Sequence, residues 1–330
     1  STSLQGVTDT GFWEVSYTRA VNDFVFRVPD VLNTEFQLAL YGLGGSNCDP
    51  IAGTPGVGDC EFFNPFATSY TTAPNSDYVV SSFTGTEVID SKADLEVFEA
   101  ITSFDVFEMG GGFAALALGV QYRENQLSQD YDDLANQDSF TFVIGNPDID
   151  GSQDVWAAFG ELALPINDEL DVQLAVRYED YGGTIGSTVD PKLAISWRAT
   201  DEFSLRGSIS TSFRAPTVFL AQGGATSLQQ LIDPVQGATA FVAVRTSGNE
   251  ELKPEESTAY NIGFSYEPFR DFSVEVDYWN FEFEDLIIQE NAQAVLNEDP
   301  TNPDRVIRAG DPMTGPVLQV NNTYVNASSM

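Results

Sequence analysis

Histidine is absent from this 330-residue chain, and cations are scarce: 14 Lys and Arg stand against 50 Asp and Glu, a net charge of −36. Without histidine, the commonest general base and the commonest transition-metal ligand are both missing. With so few cations, the chain is a poor partner for nucleic acid, whose phosphates need Lys and Arg. Anionic lipid headgroups are disfavoured too, unless the acids lie well away from them. There is no Gly-rich phosphate loop and no nucleophile elbow, and nothing in the sequence pairs two carboxylates as acid and base. These absences argue against an enzyme. Long hydrophobic runs are also missing. The longest is Phe113–Val120, far short of the ~20 residues of a membrane helix. A membrane strand needs only about 9–11 tilted residues, so the membrane itself is not excluded.

Hydrophobic residues make up 42% of the chain, too many for a disordered protein. They alternate with period two. Val172, Leu174, Val176 and Tyr178 alternate with Gln173, Ala175, Arg177 and Glu179. Leu193, Ile195 and Trp197 do the same, as do Tyr260, Ile262, Phe264 and Tyr266, and then Phe272, Val274, Val276 and Tyr278. Such segments are strands with one apolar and one polar face. The polar parity is rich in Ser, Gly, Ala, Gln, Glu and Arg, which suits a wide interior better than a small filled barrel.

Short turns fall near Met109–Gly112, Pro165–Glu169, Thr200–Glu202 and Glu267–Asp271. Between them run long polar connections: Leu43–Ser91, Arg123–Gln153, Arg214–Glu256 and Asp285 onward, with the brief Tyr181–Thr188 as an exception. Aromatics gather at both strand ends, with Trp197, Phe203, Tyr266 and Phe272 by the short turns and Tyr122, Trp156, Tyr178, Tyr260 and Tyr278 by the long connections. A soluble sandwich would alternate as well, but long loops on one side and two aromatic girdles are the layout of an outer-membrane barrel. The expected fold is all-β: part of a transmembrane, antiparallel, up-and-down β-barrel with short periplasmic turns and long extracellular loops.

Two stretches resemble TonB-dependent receptors. One is Gly207–Pro216, a strand ending in a Phe-Arg-Ala-Pro corner. The other runs from Gly248–Ser257 into a hairpin that closes on Asp277-Tyr-Trp-Asn-Phe-Glu-Phe-Glu-Asp-Leu-Ile287. The Cys48–Cys60 segment, followed by Phe62-Phe-Asn-Pro-Phe66, is similar to a surface loop of some members. The resemblance implies a receptor that takes up a scarce solute: a glycan, a siderophore, haem or a cobalamin-like molecule. A loop-bound ligand would enter past an N-terminal plug moved by TonB with ExbB and ExbD. No plug or TonB box is found, and about nine or ten strands are counted against the ~22 of such a barrel. Residues 1–330 are therefore expected to be barrel, with plug and final strands absent. The alternatives are a structural or adhesive surface β-protein, an outer-membrane hydrolase and a passive porin.

Cys48 and Cys60 lie in one Gly/Pro-rich loop and are expected to form a disulfide. Phe62, Phe63, Phe66 and Tyr70 beside them could stack on a sugar or an apolar ligand, or form a small loop core. Asn146, Asp148 and Asp150, with Gly151 and Asp154, are spaced like the first ligands of a calcium loop. The twelfth position is Ala157, so the bidentate Glu is missing and a solvated acidic loop fits as well. No other cofactor is expected. Arg214 and Lys253 are expected to pair with carboxylates such as Glu255, and Pro216 and Pro254 to end strand pairing at the rim.

Overall fold

The computed structural model describes residues 1–67, 74–143 and 145–327. Strands β1 (Thr2–Val7) and β2 (Gly11–Val31) lead into an excursion with helices α1 (Asn33–Leu40) and α2 (Asp77–Ser82). A tall hairpin follows, β3 (Thr84–Met109) and β4 (Gly112–Tyr131), then the short helix α3 (Asp133–Asn136). Next come β5 (Ile149–Asn167), β6 (Leu170–Asp180), β7 (Ser187–Arg198) and β8 (Phe203–Arg214). The chain leaves through α4 (Val218–Gln222) and the hairpin β9 (Gly224–Asp233) and β10 (Ala238–Ser247). It returns as β11 (Glu255–Phe269) and β12 (Phe272–Glu284), and ends in β13 (Leu286–Gln289), α5 (Ala292–Glu298), β14 (Val306–Arg308) and β15 (Val317–Ala327).

Ten strands form one antiparallel sheet in the order β1-β2-β3-β4-β5-β6-β7-β8-β11-β12. This is the expected up-and-down wall. Its register carries apolar residues straight across neighbours: Leu116 faces Leu162, which faces Leu174, then Leu193, then Ile209. The opposite parity carries Gln121, Ala157, Glu179 and Thr188 across the same strands. A strand slip of one residue would exchange the two faces, so this alternation fixes the register.

The strands reach beyond the alternating region. β4 runs on to Tyr131 and β5 starts at Ile149, so much of the stretch Arg123–Gln153 is strand, not loop. β1 and β2 lie ahead of the segments whose alternation marks them as strand. Two other connections also differ from the expectation. Arg214–Glu256 and the segment after Asp285 do not remain irregular. They fold together into a second sheet, β13-β15-β10-β9, with β14 on β15 and a parallel pairing of β10 with β15. Leu231, Val242, Val244, Val295, Leu296, Val306, Val317 and Val320 bury together beneath it. Both loops contribute side chains to this one core.

Candidate functional site

The apolar face carries aromatic bands at two levels. Near the long connections, Tyr17, Phe98, Tyr122 and Trp156 stand side by side on β2 to β5, with ring centroids 4.6, 6.4 and 4.6 Å apart. On β11 and β12, Tyr260 and Tyr278 pair on the same face at 6.2 Å. Near the short turns, Phe203 lies 6.3 Å from Tyr266, and Phe269 stacks on Phe272 at 5.4 Å. From Leu170 to Tyr178 a strand rises ~26 Å at ~3.3 Å per residue, or about 20 Å across a bilayer at a tilt near 40°. Just beyond the upper band the same face becomes charged. Arg19 pairs with Asp94 at 2.6 Å and with Glu96 at 3.3 Å. Glu96 faces Glu124, which faces Asp154, and Asp154 accepts from the Tyr122 hydroxyl at 3.1 Å.

The polar face is held by a network in which two arginines share one carboxylate. Glu179 is 5% exposed. Its carboxylate takes Arg177 Nε, the Tyr181 hydroxyl at 2.6 Å and, more distantly, Arg123 at 3.7 Å. Arg123 also donates to the Tyr181 oxygen at 3.2 Å. Arg177 lies over the Phe159 ring at 5.2 Å, and that ring fits against β4 because residue 119 is glycine. A Cβ there would meet the ring at 2.1 Å. Burial, and then the bond to Glu179, push the Tyr181 phenol up to about 12. It therefore stays a proton donor at any physiological pH. This wall bounds a cavity of about 750 Å³, lined also by Lys192, Ser210 and the corner Arg214–Thr217.

That corner is positioned by the two motif stretches. Arg214 pairs with Glu255 (Nη2 to Oε1 2.6 Å), as expected, and Glu255 is 6% exposed. Glu255 also accepts from the Ile287 N–H at 2.7 Å, which ties β11 to β13. Lys253 behaves otherwise than expected. Among the described residues its ammonium makes no ion pair, and its backbone N–H and C=O are clasped by Asn326 at 2.9 and 3.0 Å. Pro216 does end the pairing of β8, and its carbonyl accepts from Gln153 Nε2 at 3.0 Å. Helix α4, capped by Thr217, then lies against β5.

The calcium-like residues are not brought together. Asn146 Oδ1 accepts from the Thr226 N–H at 2.6 Å, Asp148 from the Tyr131 N–H at 2.9 Å, and Asp154 from Tyr122. Asp150 and Gly151 lie inside β5. Gly151 is needed for packing rather than for a turn, since a Cβ would meet Val218 and Gln222 of α4 at 2.7 and 2.1 Å. Among the described residues no three acids, cysteines or histidines gather as a metal set.

Cys48 and Cys60 are disulfide-bonded. The aromatics beside them divide. Phe63 packs with Phe36 and Phe83 at 5.5 and 5.0 Å, over Ala39 and Val79. Phe62 covers the positive-φ glycines Gly42 and Gly56 and stays 58% exposed, while Phe66 is 88% exposed. Tyr70 lies outside the described residues. Sequence reasoning missed the network around Glu179. Its only signal was Arg123 and Arg177 standing on the polar parity of two strands.

Comparison with known proteins agrees with this layout. A profile described as "TonB dependent receptor-like, beta-barrel" matches residues 8–329. The chain belongs to the TonB-dependent receptor family. Members of this family reside in the outer membrane. A relative from Acinetobacter baumannii, "Probable TonB-dependent siderophore receptor PirA", is 26% identical over 160 residues, covering 46% of this chain and 20% of its own length. The crystal structure of the siderophore receptor PirA from that organism superposes with a TM-score of 0.55 at 17% identity, covering 99% of this chain and 39% of the receptor. A mutant ferric enterobactin receptor from Pseudomonas aeruginosa, in complex with enterobactin, gives 0.57 at 14%, with 99% and 39% covered. At these identities the structures show the shared fold. The chain spans well under half the length of these relatives.

Proposed function

We propose that this chain forms part of the wall and mouth of an outer-membrane receptor that imports a ferric siderophore. The observation that carries the membrane reading is the change of one face from aromatic to charged at a single level on β2 to β5. An aromatic ring is half apolar and half wet, and so belongs at a membrane interface. The long connections and the second sheet then stand on the extracellular side. The polar wall lines the conduit, where Arg123, Arg177 and Lys192 beside Glu179 leave a hydrogen-bonding surface rich in cations for a polar solute. The siderophore reading rests on the names of the relatives. Coupling to TonB with ExbB and ExbD belongs to the same reading, with residues 1–330 as barrel and the plug elsewhere in the receptor. A second reading, oligosaccharide import, rests on the exposed Phe62 and Phe66. Uptake by cells expressing the native receptor separates the readings. Accumulation of ⁵⁵Fe-labelled siderophores that needs TonB supports the first, and accumulation of labelled oligosaccharide supports the second. Uptake independent of TonB, or none of either, would overturn active transport.

A further inference from the structure

Glu87 lies on β3 well beyond the upper aromatic band, facing Val28 of β2. It is 2% exposed, and among the described residues its Oε1 has no hydrogen-bond partner. Buried carboxylates are ordinarily paired or hydrogen-bonded, so this one stands out. Its charged neighbours are Asp132, the N-cap of α3, and Asp30 of β2, both acids. The Tyr131 phenol at the end of β4 and Asp148 ahead of β5 face the same region.

The two aspartates have work of their own. Asp30 Oδ2 accepts from the N–H groups of Phe142 and Val143, each at 2.7 Å. Asp132 accepts from Val88 at 2.5 Å, and from Leu134 and Ala135 at 2.9 and 3.1 Å. They clamp residues 132–143 down over β2 and β3. Phe140 packs there with Tyr131, Ala135, Leu32 and Ile89. The Thr141 N–H bonds to the Val31 carbonyl at 2.9 Å. Ile89 shares the polar-face parity of Arg123 through β3 and β4, so the segment sits at the mouth of the conduit.

We propose that residues 132–143 form a pH-responsive latch, seated while Glu87 carries its proton and loosened when Glu87 ionises. Once ionised beneath the seated segment, Glu87 would be a buried, unpaired charge beside two carboxylates. Burial first, and then Asp132 and Asp30, push its carboxyl up from the ordinary range. A carboxyl raised in the seated state favours seating fully below its free value, about 4.3. Seating then weakens by up to about tenfold per pH unit until the raised value is passed. The loosened state belongs to the higher pH.

Hydrogen exchange on the native receptor in detergent micelles tests this, from pH 5 to 8 and corrected for intrinsic rates. Protection of the Ala135, Phe142 and Val143 amides should fall as pH rises across that range, by up to about tenfold per pH unit. Glu87→Gln should hold them at the acid level throughout. A flat wild-type profile overturns the latch, as does a Glu87→Gln profile that tracks the wild type. The wild type alone also decides, because an equal loss in α1 would mean general loosening and would overturn the latch as well.

Discussion

Asp233→Ala should unseat the second sheet while leaving the ten-stranded wall intact. Asp233 ends β9, and Arg308 ends β14. The Arg308 side chain is 0% exposed and that of Asp233 4%. The pair is bidentate, Nη1 to Oδ2 at 2.7 Å and Nη2 to Oδ1 at 2.9 Å. Arg308 also donates to the carbonyls of Pro300 and Gly315 at 2.9 and 2.7 Å, and Asp233 accepts from the Val235 N–H at 2.9 Å. Removing the carboxylate leaves a guanidinium buried with only carbonyls. Breaking such a pair costs about 3–5 kcal/mol, a large share of what a small core supplies. Replacing both partners, as in Asp233→Leu with Arg308→Met, should cost far less. The pH dependence has a definite sign. The bond to Arg308 holds the Asp233 carboxyl below its usual range. Its contribution is complete above the unfolded value, about 3.9, and is lost as pH falls through the lowered folded value. Limited proteolysis followed by mass spectrometry is the assay. Cleavage within 224–247 and 306–327 should rise in Asp233→Ala, with the strands β2 to β8 still protected. Cleavage unchanged in the single variant, or as severe in the double, would refute the reasoning.

On the apolar face, Leu174→Arg should cost about 2–4 kcal/mol at mid-bilayer, read by urea titration of refolding into vesicles, while Ala175→Arg on the polar face should cost much less. Gly119→Val should push the Phe159 ring aside and with it Arg177, and it should be seen as lost fluorescence or NMR signatures of an ordered Tyr181. Reducing Cys48–Cys60, which are 12 residues apart, should loosen that loop by about 3 kcal/mol without altering exchange in β5 to β8.

The middle of the wall was legible because lipid on one side and water on the other impose a period of two. The alternation of Val172 to Tyr178 and of Tyr260 to Tyr266 gave strand, register and face together. It failed where that asymmetry ends. Around Arg19, Asp23 and Lys92 both faces of β2 and β3 are polar, so nothing in the hydropathy marks them as strand, and backbone pairing with the Arg19–Asp94 ion pair sustains them. The second sheet was illegible for a different reason. Its core joins Val242 and Val244 to Val317 and Val320, across the whole of β11 and β12, and no local pattern reports a contact that distant. The calcium-like spacing misled because Gly151 can serve a close helix contact as readily as a turn. The Arg214–Glu255 pair was legible because both members sit in the two motif stretches, and the clasp of Asn326 on Lys253 was not.

The two sheets meet different solvents, and their stabilities should respond to different perturbations. The wall has few buried side chains of its own, since Leu174, Val176, Ile195 and Ile209 remain 42%, 48%, 43% and 52% exposed. Those surfaces are satisfied by acyl chains, and the wall should depend on its lipid or detergent. The second sheet carries a closed core and a buried ion pair, and should keep its structure when the amphiphile is changed. The contacts between them are specific, and among the described residues they include Glu255 to Ile287, Asn326 to Lys253 and Asp285, Arg245 to Asp138 at 2.8 Å, and Thr226 to Asn146 at 2.6 Å. Exchanging detergent for short-chain lipid should therefore shift hydrogen exchange in β5 to β8 and leave β10 and β15 unchanged. A parallel shift in both would mean that the second sheet has no stability of its own and leans on the wall.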